Sequence, residues 1–271
     1  MYIDTHCHIH DPEFYPDSRE VVYRQSRDAD VVMLCVGTDI RSSREAVEFA
    51  RSHDGCLALV GVHPHEAKHG GIEEIRALAQ SKNDVICGVG EIGLDYFYLH
   101  SPPDDQIGML REQLAIATEY DLPVSFHVRD SAGGGEQSVW DDFWPILDEF
   151  PDIRGVLHSF TDIAENAQKA IDRGLYIGIN GISTFTRDAA QQKLYRELPL
   201  ENILLETDAP FLTPAPLRGK INVPAYVGRV AEHQAQLKQV PVTYVARITT
   251  SNARELFGKK LDATRNKITT N

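Results

Sequence analysis

Six residues in this chain could work together as metal ligands. His6, His8, Glu91, His127, His158 and Asp208 each stand at or just past the end of a short apolar run. Imidazole and carboxylate are donor types that hold divalent cations. His6 and His8 flank Cys7, and side chains two apart on a strand share a face, so both rings can reach one ion. Glu91 sits in the apolar stretch GVGEIGLDY. A carboxylate there is costly unless paired, and its two oxygens can bridge two cations ~3.5–4 Å apart. His127 ends PVSFH, and His158 ends GVLH. Asp208, in LLETDAP, can give one oxygen to a metal and use the other to take a proton from an attacking water. One histidine at a strand end is more often a hydrogen-bonded structural residue. Six donors in the same kind of position describe a pocket for two divalent ions, with magnesium, manganese or zinc as the candidates.

Asp208, Glu91 and His63 are the catalytic candidates. His63, in GVHPH, is read as a substrate contact or a brace for a ligand, and His65 as a weaker case. Arg129 is a candidate for holding a phosphate or carboxylate, with a salt bridge to Asp130 as the alternative. Asp95 and Tyr96 read equally well as turn and packing residues. Asp4 reads as a supporting or structural group, and Glu206 as a residue that orients a ligand.

These donors need a scaffold that gathers strand ends. Apolar runs at 2–5, 31–36, 57–62, 85–90, 123–126, 155–157, 175–179 and 203–207 are mostly continuous, as expected of parallel strands buried on both faces. Helical periodicity falls between or after them, at 43–50, 72–79, 105–120, 163–171, 187–198 and 244–257, with Asp104 or Asp105 as N-cap of the third and Gly258 as the final C-cap. Eight strands alternating with helices predict an α/β fold of the (β/α)8 TIM-barrel class, whose active sites lie at the C-terminal face of the strands. A doubly wound sheet rarely needs so many ligand-bearing strands. One barrel is expected over 1–258, followed by a polar, frayed tail over 259–271. The Gly-rich 131–138 segment and the Pro-rich 213–224 segment read as loops beside the pocket.

Bulk properties narrow the function. The chain has 271 residues and 42% hydrophobic content, enough for one large core. No run approaches the ~20 apolar residues of a membrane helix, and the start of the sequence lacks the features of a signal peptide. The four cysteines follow no CxxC spacing and read as buried thiols of a cytoplasmic protein. A net charge of −13 and the lack of a basic stripe argue against tight duplex binding along the backbone. They leave room for chemistry at a nucleic-acid end, because two divalent ions bring about four positive charges. No obligate protein partner is evident.

Taken together, IDTHCH, GVHPH, GEIGLDY, LPVSFHVRDS, GVLHSF and LLETDAPFLTP resemble the TatD family of metal-dependent deoxyribonucleases, within the amidohydrolase-like barrels. The resemblance runs from Tyr2 to about Phe257. It implies that His6, His8, Glu91 and Asp208 hold one metal, that Glu91, His127 and His158 hold the other, and that His63 faces substrate. The implied reaction is hydrolysis of DNA phosphodiesters, often from single-stranded 3′ ends. Two features depart from the family. Val223 stands where members usually carry an acid between Asn222 and Pro224, and 132–137 reads as an insertion. Both border the pocket and bear on substrate preference. The alternatives are a small-molecule amidohydrolase or esterase on the same barrel, and a metal-binding protein that has lost turnover. Related amidases often bridge their metals with a carboxylated lysine, and no lysine ends a strand here.

Overall fold

The computed structural model describes residues 1–81, 83–131, 138–258 and 260–261. Eight parallel strands form a single sheet in sequential order: β1 Tyr2–Cys7, β2 Val31–Val36, β3 Cys56–Val60, β4 Ile86–Asp95, β5 Val124–Arg129, β6 Gly155–Leu157, β7 Tyr176–Ile179 and β8 Ile203–Leu205. The helices are α1 Arg19–Asp28, α2 Ile40–Ser52, α3 Ile72–Gln80, α4 Pro103–Glu119, α5 Val139–Asp148, α6 Ala164–Asp172, α7 Ala189–Glu197, α8 Val227–Lys238 and α9 Val242–Phe257. This is the (β/α)8 barrel that the apolar runs predict. Every residue of β2 is buried, as a strand covered on both faces requires.

The last strand meets the first through a parallel bridge between Cys7 and Ala209. The Asp208 N–H donates to the His6 carbonyl (2.9 Å), and the His8 N–H donates to the Ala209 carbonyl (2.8 Å). Asp4 fastens this seam. Its carboxylate accepts the Thr207 N–H (2.8 Å) and the Thr207 hydroxyl (2.6 Å). The barrel closure thus sets His6, His8 and Asp208 side by side.

Several boundaries differ from the sequence reading. β4 continues to Asp95, so Glu91 lies inside the strand, where the pairing with β5 slips between Val89 and Ile92. Glycine in β4 lets the neighbouring strand close in. A Cβ at Gly93 would lie 1.8 Å from the His127 carbonyl oxygen. β5 likewise continues past His127 to Arg129. β8 stops at Leu205, three residues short of Asp208, which adopts a left-handed backbone (φ 56°).

Helices α1, α5 and α8 have no counterpart among the expected helices. Pro102, not Asp104 or Asp105, caps α4, and both aspartates sit in its first turn. Gly258 does end α9, at φ 76°. The 132–137 insertion and most of the polar tail lie outside the described residues. Within the tail, Lys260 Nζ donates to the Asn83 carbonyl (3.1 Å) and Leu261 is buried, so these two residues are packed rather than frayed. All four cysteines are buried and unpaired. Among the described residues no helix is long and apolar enough to cross a membrane.

Candidate metal centre

All six proposed ligands converge at the C-terminal mouth of the barrel. Glu91 is the hub. Its Oε2 lies 3.3 Å from His6 Nε2, while its Oε1 lies 2.7 Å from His127 Nδ1, 3.6 Å from His63 Nε2 and 3.8 Å from His158 Nε2. The two oxygens therefore face two different sets of imidazoles. Asp208 Oδ1 lies 3.4 Å from His8 Nε2 and 3.9 Å from both His6 Nε2 and His158 Nε2. The rings of His6 and His158 are stacked, with centroids 3.5 Å apart.

The contacts on the far side of each ring show which nitrogen is free. His8 Nδ1 lies 2.9 Å from the Val36 carbonyl, which can only accept, so the proton sits on Nδ1 and the Nε2 lone pair faces the site. His6 Nδ1 meets the Ser125 hydroxyl at 3.2 Å, and its buried Nε2 has no hydrogen-bond partner. His158 Nδ1 lies 2.9 Å from Glu206 Oε1, an ion-pair approach without hydrogen-bond alignment. His127 Nε2 is 2.9 Å from Asp95 Oδ2, which leaves Nδ1 toward Glu91. An orphaned ring nitrogen beside two carboxylates and further imidazoles fits a divalent cation.

Among the described residues, three donor groups are compact enough to hold an ion: His6–His8–Asp208, His6–Glu91–His158 and His63–Glu91–His127. The first is the core of one expected ligand set. The second expected set is split, with His158 grouped with His6 and His127 with His63. We discount His63 as a ligand, because its Nδ1 accepts the His65 N–H (3.1 Å). The neutral ring then carries its proton on Nε2 and presents a donor, not a lone pair.

Electrostatics point the same way. Burial pushes His63 down to about 4, and His127 beside it adds to the effect. Burial also lowers His127 and His158, but their carboxylate partners outweigh it. Asp95 and Glu91 hold His127 up at about 9. Glu206, Glu91 and Asp208 hold His158 up at about 10. For Glu91, burial favours the neutral acid, yet the surrounding histidines keep it well below the usual carboxylate range. Without metal, protons on imidazoles offset the carboxylates, so the mouth is built for positive charge.

Other expectations resolve at the rim. Arg129 makes no ion pair among the described residues. Asp130 instead accepts the Val139 N–H (3.0 Å) and the Ser138 hydroxyl (2.5 Å) at the start of α5. The Arg129 guanidinium lies over the rings of Phe97 (4.1 Å) and Tyr98 (4.8 Å). Asp95 does more than the sequence reading assigns it. It holds His127 and His65 with Oδ2, and the Phe97 and Tyr98 N–H groups with Oδ1 (both 2.9 Å). Ser125 and Asn222 are missing from that reading. Ser125 stands two residues before His127, and this alternation is a usable signal. Asn222 donates from Nδ2 to the carbonyls of Thr207 (2.9 Å) and Phe211 (2.6 Å) and so pins the turn that carries Asp208. A cavity of about 590 Å³ opens over the cluster, lined also by Arg129, Tyr98 and Phe211.

The sequence matches the family described as TatD related DNase over residues 3–258. It is 35% identical over 260 residues to YabD of Bacillus subtilis, named an uncharacterized metal-dependent hydrolase, covering 95% of this chain and 99% of that one. It is 34% identical over 260 residues to a 3′-5′ ssDNA/RNA exonuclease TatD of Salmonella typhimurium, covering 94% and 98%. The crystal structure of YjjV, a TatD homologue from Escherichia coli, superposes with a TM-score of 0.85 at 28% identity, covering 94% of this chain and 97% of that one.

Proposed function

The chain belongs to the TatD family of metal-dependent hydrolases, and from that premise we propose that it cleaves phosphodiester bonds at single-stranded DNA ends. The observation that supports this most is the sharing of Glu91, with one oxygen toward His6 and the other toward His127 and His158. His6, His8, Glu91 and Asp208 would hold one divalent ion, and Glu91, His127 and His158 a second. Two such ions supply charge that draws in a phosphate and acidifies the attacking water. The mixed imidazole and carboxylate set suits manganese or zinc at least as well as magnesium.

The rest falls to side chains of the chain. Asp208 accepts the proton of the attacking water, since its carboxylate opens on the cavity and its backbone is fixed at the barrel seam. His63 offers its Nε2–H to a phosphoryl or leaving oxygen. Arg129 stands at the cavity wall with its charge unpaired by any acid among the described residues, ready for a phosphate. No lysine lines the cavity among the described residues, as a carboxylated-lysine amidohydrolase would require.

The test compares the unsubstituted protein with His127→Ala and Asp208→Ala. Substrates are labelled single strands, duplexes, amides and lactones, with magnesium, manganese or zinc supplied in turn. Metal-dependent cleavage of the single strands, lost in both variants, is the expected result. Full activity in either variant removes this site from the reaction. Turnover of amides or lactones alone moves the assignment to small-molecule hydrolysis.

A further inference from the structure

Among the described residues, five large aromatic side chains are exposed: Phe14, Phe97, Tyr98, Phe211 and Tyr244. Four of them gather at the mouth of the barrel. Tyr98 and Phe211 line the cavity itself, at 50% and 48% exposure. Phe14 backs Phe211 edge to face, with centroids 5.2 Å apart, and Phe97 backs Tyr98 at 4.7 Å. Exposed apolar groups concentrated on one patch mark a binding surface.

The barrel places these pairs across the mouth from each other. Phe14 and Phe211 belong to the β1/β8 seam, both about 6.4 Å or less from the His8 ring. Phe97 and Tyr98 follow β4; the Arg129 guanidinium at the end of β5 lies over both rings, and His100 lies parallel to Tyr98 with centroids 5.5 Å apart, which leaves Tyr98 half-exposed. In a ring of eight sequential strands, the β1/β8 seam faces the β4/β5 pair. The metal-ligand cluster lies between them. Both platforms are held rigidly. Asp95 Oδ1 accepts the Phe97 and Tyr98 N–H groups, and Gln106 braces Asp95 through its backbone N–H (2.7 Å) and carbonyl (3.1 Å). Across the mouth, Asn222 ties down the Phe211 carbonyl, and the Phe211 N–H donates to the Asp208 carbonyl (2.8 Å).

We propose that Tyr98 and Phe211 are stacking platforms for the two nucleobases that flank the scissile phosphate, with Arg129 holding an adjacent phosphate. This deepens the phosphodiesterase reading and rests on it. Aromatic faces stack on any base and are sequence-tolerant. A base can reach them only when it is free of a complementary strand. The geometry therefore selects unpaired ends and is indifferent to base identity. It also explains how a chain of net charge −13 can hold a polyanion: base faces supply affinity that the surface charge does not.

The test is a cycle between protein and substrate on the full chain, supplied with magnesium, manganese or zinc in turn. The single strands are oligothymidylate and an oligomer of equal length whose sugars carry no bases. On oligothymidylate, Tyr98→Ala/Phe211→Ala loses roughly five- to hundredfold in kcat/KM per ring removed. Removing the bases costs the unsubstituted protein a similar factor, and the two losses do not add. Tyr98→Phe retains activity, whereas Tyr98→Leu, which keeps bulk without a ring face, does not. A second readout needs no turnover. A 2-aminopurine strand bound to Asp208→Ala is quenched by stacking, and adding Tyr98→Ala and Phe211→Ala relieves the quenching. Equal penalties for the double variant on both strands, or no penalty at all, overturn the platforms and leave the phosphodiesterase reading standing. Failure of the unsubstituted protein to cleave either strand overturns that reading, and this proposal with it.

Discussion

Replacing Asp95 by asparagine tests the logic of the site without touching a proposed ligand. Asp95 Oδ2 accepts from His127 Nε2 at 2.9 Å and faces His65 Nε2 at 3.0 Å, while Oδ1 accepts two backbone N–H groups. Asparagine has one acceptor oxygen. The N–H groups of Phe97 and Tyr98 can only donate, so they claim that oxygen and turn the amide NH2 toward His127. Nε2 must then present its lone pair, and the proton moves to Nδ1, the atom that faces Glu91 at 2.7 Å. The ring would be locked in the tautomer that cannot ligate. Such a charge-assisted contact is worth about 1.5–3 kcal/mol. That agrees with the 10–100-fold typical for loss of a group that orients a metal ligand, about 1.4–2.7 kcal/mol. Calorimetric titration of metal-free protein with manganese or zinc should show this loss for one ion, while the His6–His8–Asp208 group binds as before. Activity should recover in part at high metal concentration. Unchanged affinity for both ions would refute the tautomer argument and the assignment of His127 Nδ1 as a ligand atom.

His63 should behave in the opposite way. His63→Ala is expected to keep its metal content by elemental analysis while kcat falls about 10²–10⁴-fold, the usual contribution of a positioned proton donor; loss of bound metal would make His63 a ligand instead. The pH dependence of stability follows from the raised imidazoles. His127 at about 9 and His158 at about 10 both lie above the ~6.5 of an unfolded histidine. Their contribution is complete below about pH 6.5 and is lost as pH rises through 9 and 10. The melting temperature of chelated protein should therefore fall across that window, and saturating metal should flatten the decline by replacing protons with a cation. A chelated protein whose stability rises from pH 7 to 10 would contradict the charge balance drawn for the cluster.

The fold was readable because barrel strands are short, apolar and evenly interrupted, and the six donors were readable because all lie near strand ends. The strand limits were not. The apolar run ends at Gly90, yet β4 continues to Asp95, and Gly93 lets it pass close to β5, where the His127 carbonyl leaves no room for a Cβ. Helix α5 was obscured by Pro145 in its interior, although Ser138 and Asp141 form a capping box at its start. Helix α1 buries only Val22 and Ser26, too little for a clear apolar stripe. The braces were harder still. Asp95 reaches His127 and Asn222 reaches the Thr207 carbonyl across 32 and 15 positions, and nothing local announces such partners, whereas Ser125 is betrayed only by its alternation with His127.

The braces also account for how a cluster of like groups can exist before any ion arrives. Glu91, Asp208, Glu206 and Asp95 crowd one mouth and would repel if all were bare. Each instead faces an imidazole: Glu91 meets His127, Asp208 meets His8, Glu206 meets His158, and Asp95 meets both His127 and His65. The pairing fixes ring orientation and lets protons stand in for cations. His8, His127 and His158 would then give up protons in favour of a bound cation from positions that their carboxylate partners already set. The same economy of charge leaves Arg129 as the one cationic side chain lining the cavity wall among the described residues, histidines aside. On the proposed function, a single fixed cation with the proposed ring platforms would suit a short, unpaired phosphodiester strand better than a duplex, whose regular backbone calls for a longer row of positive charge.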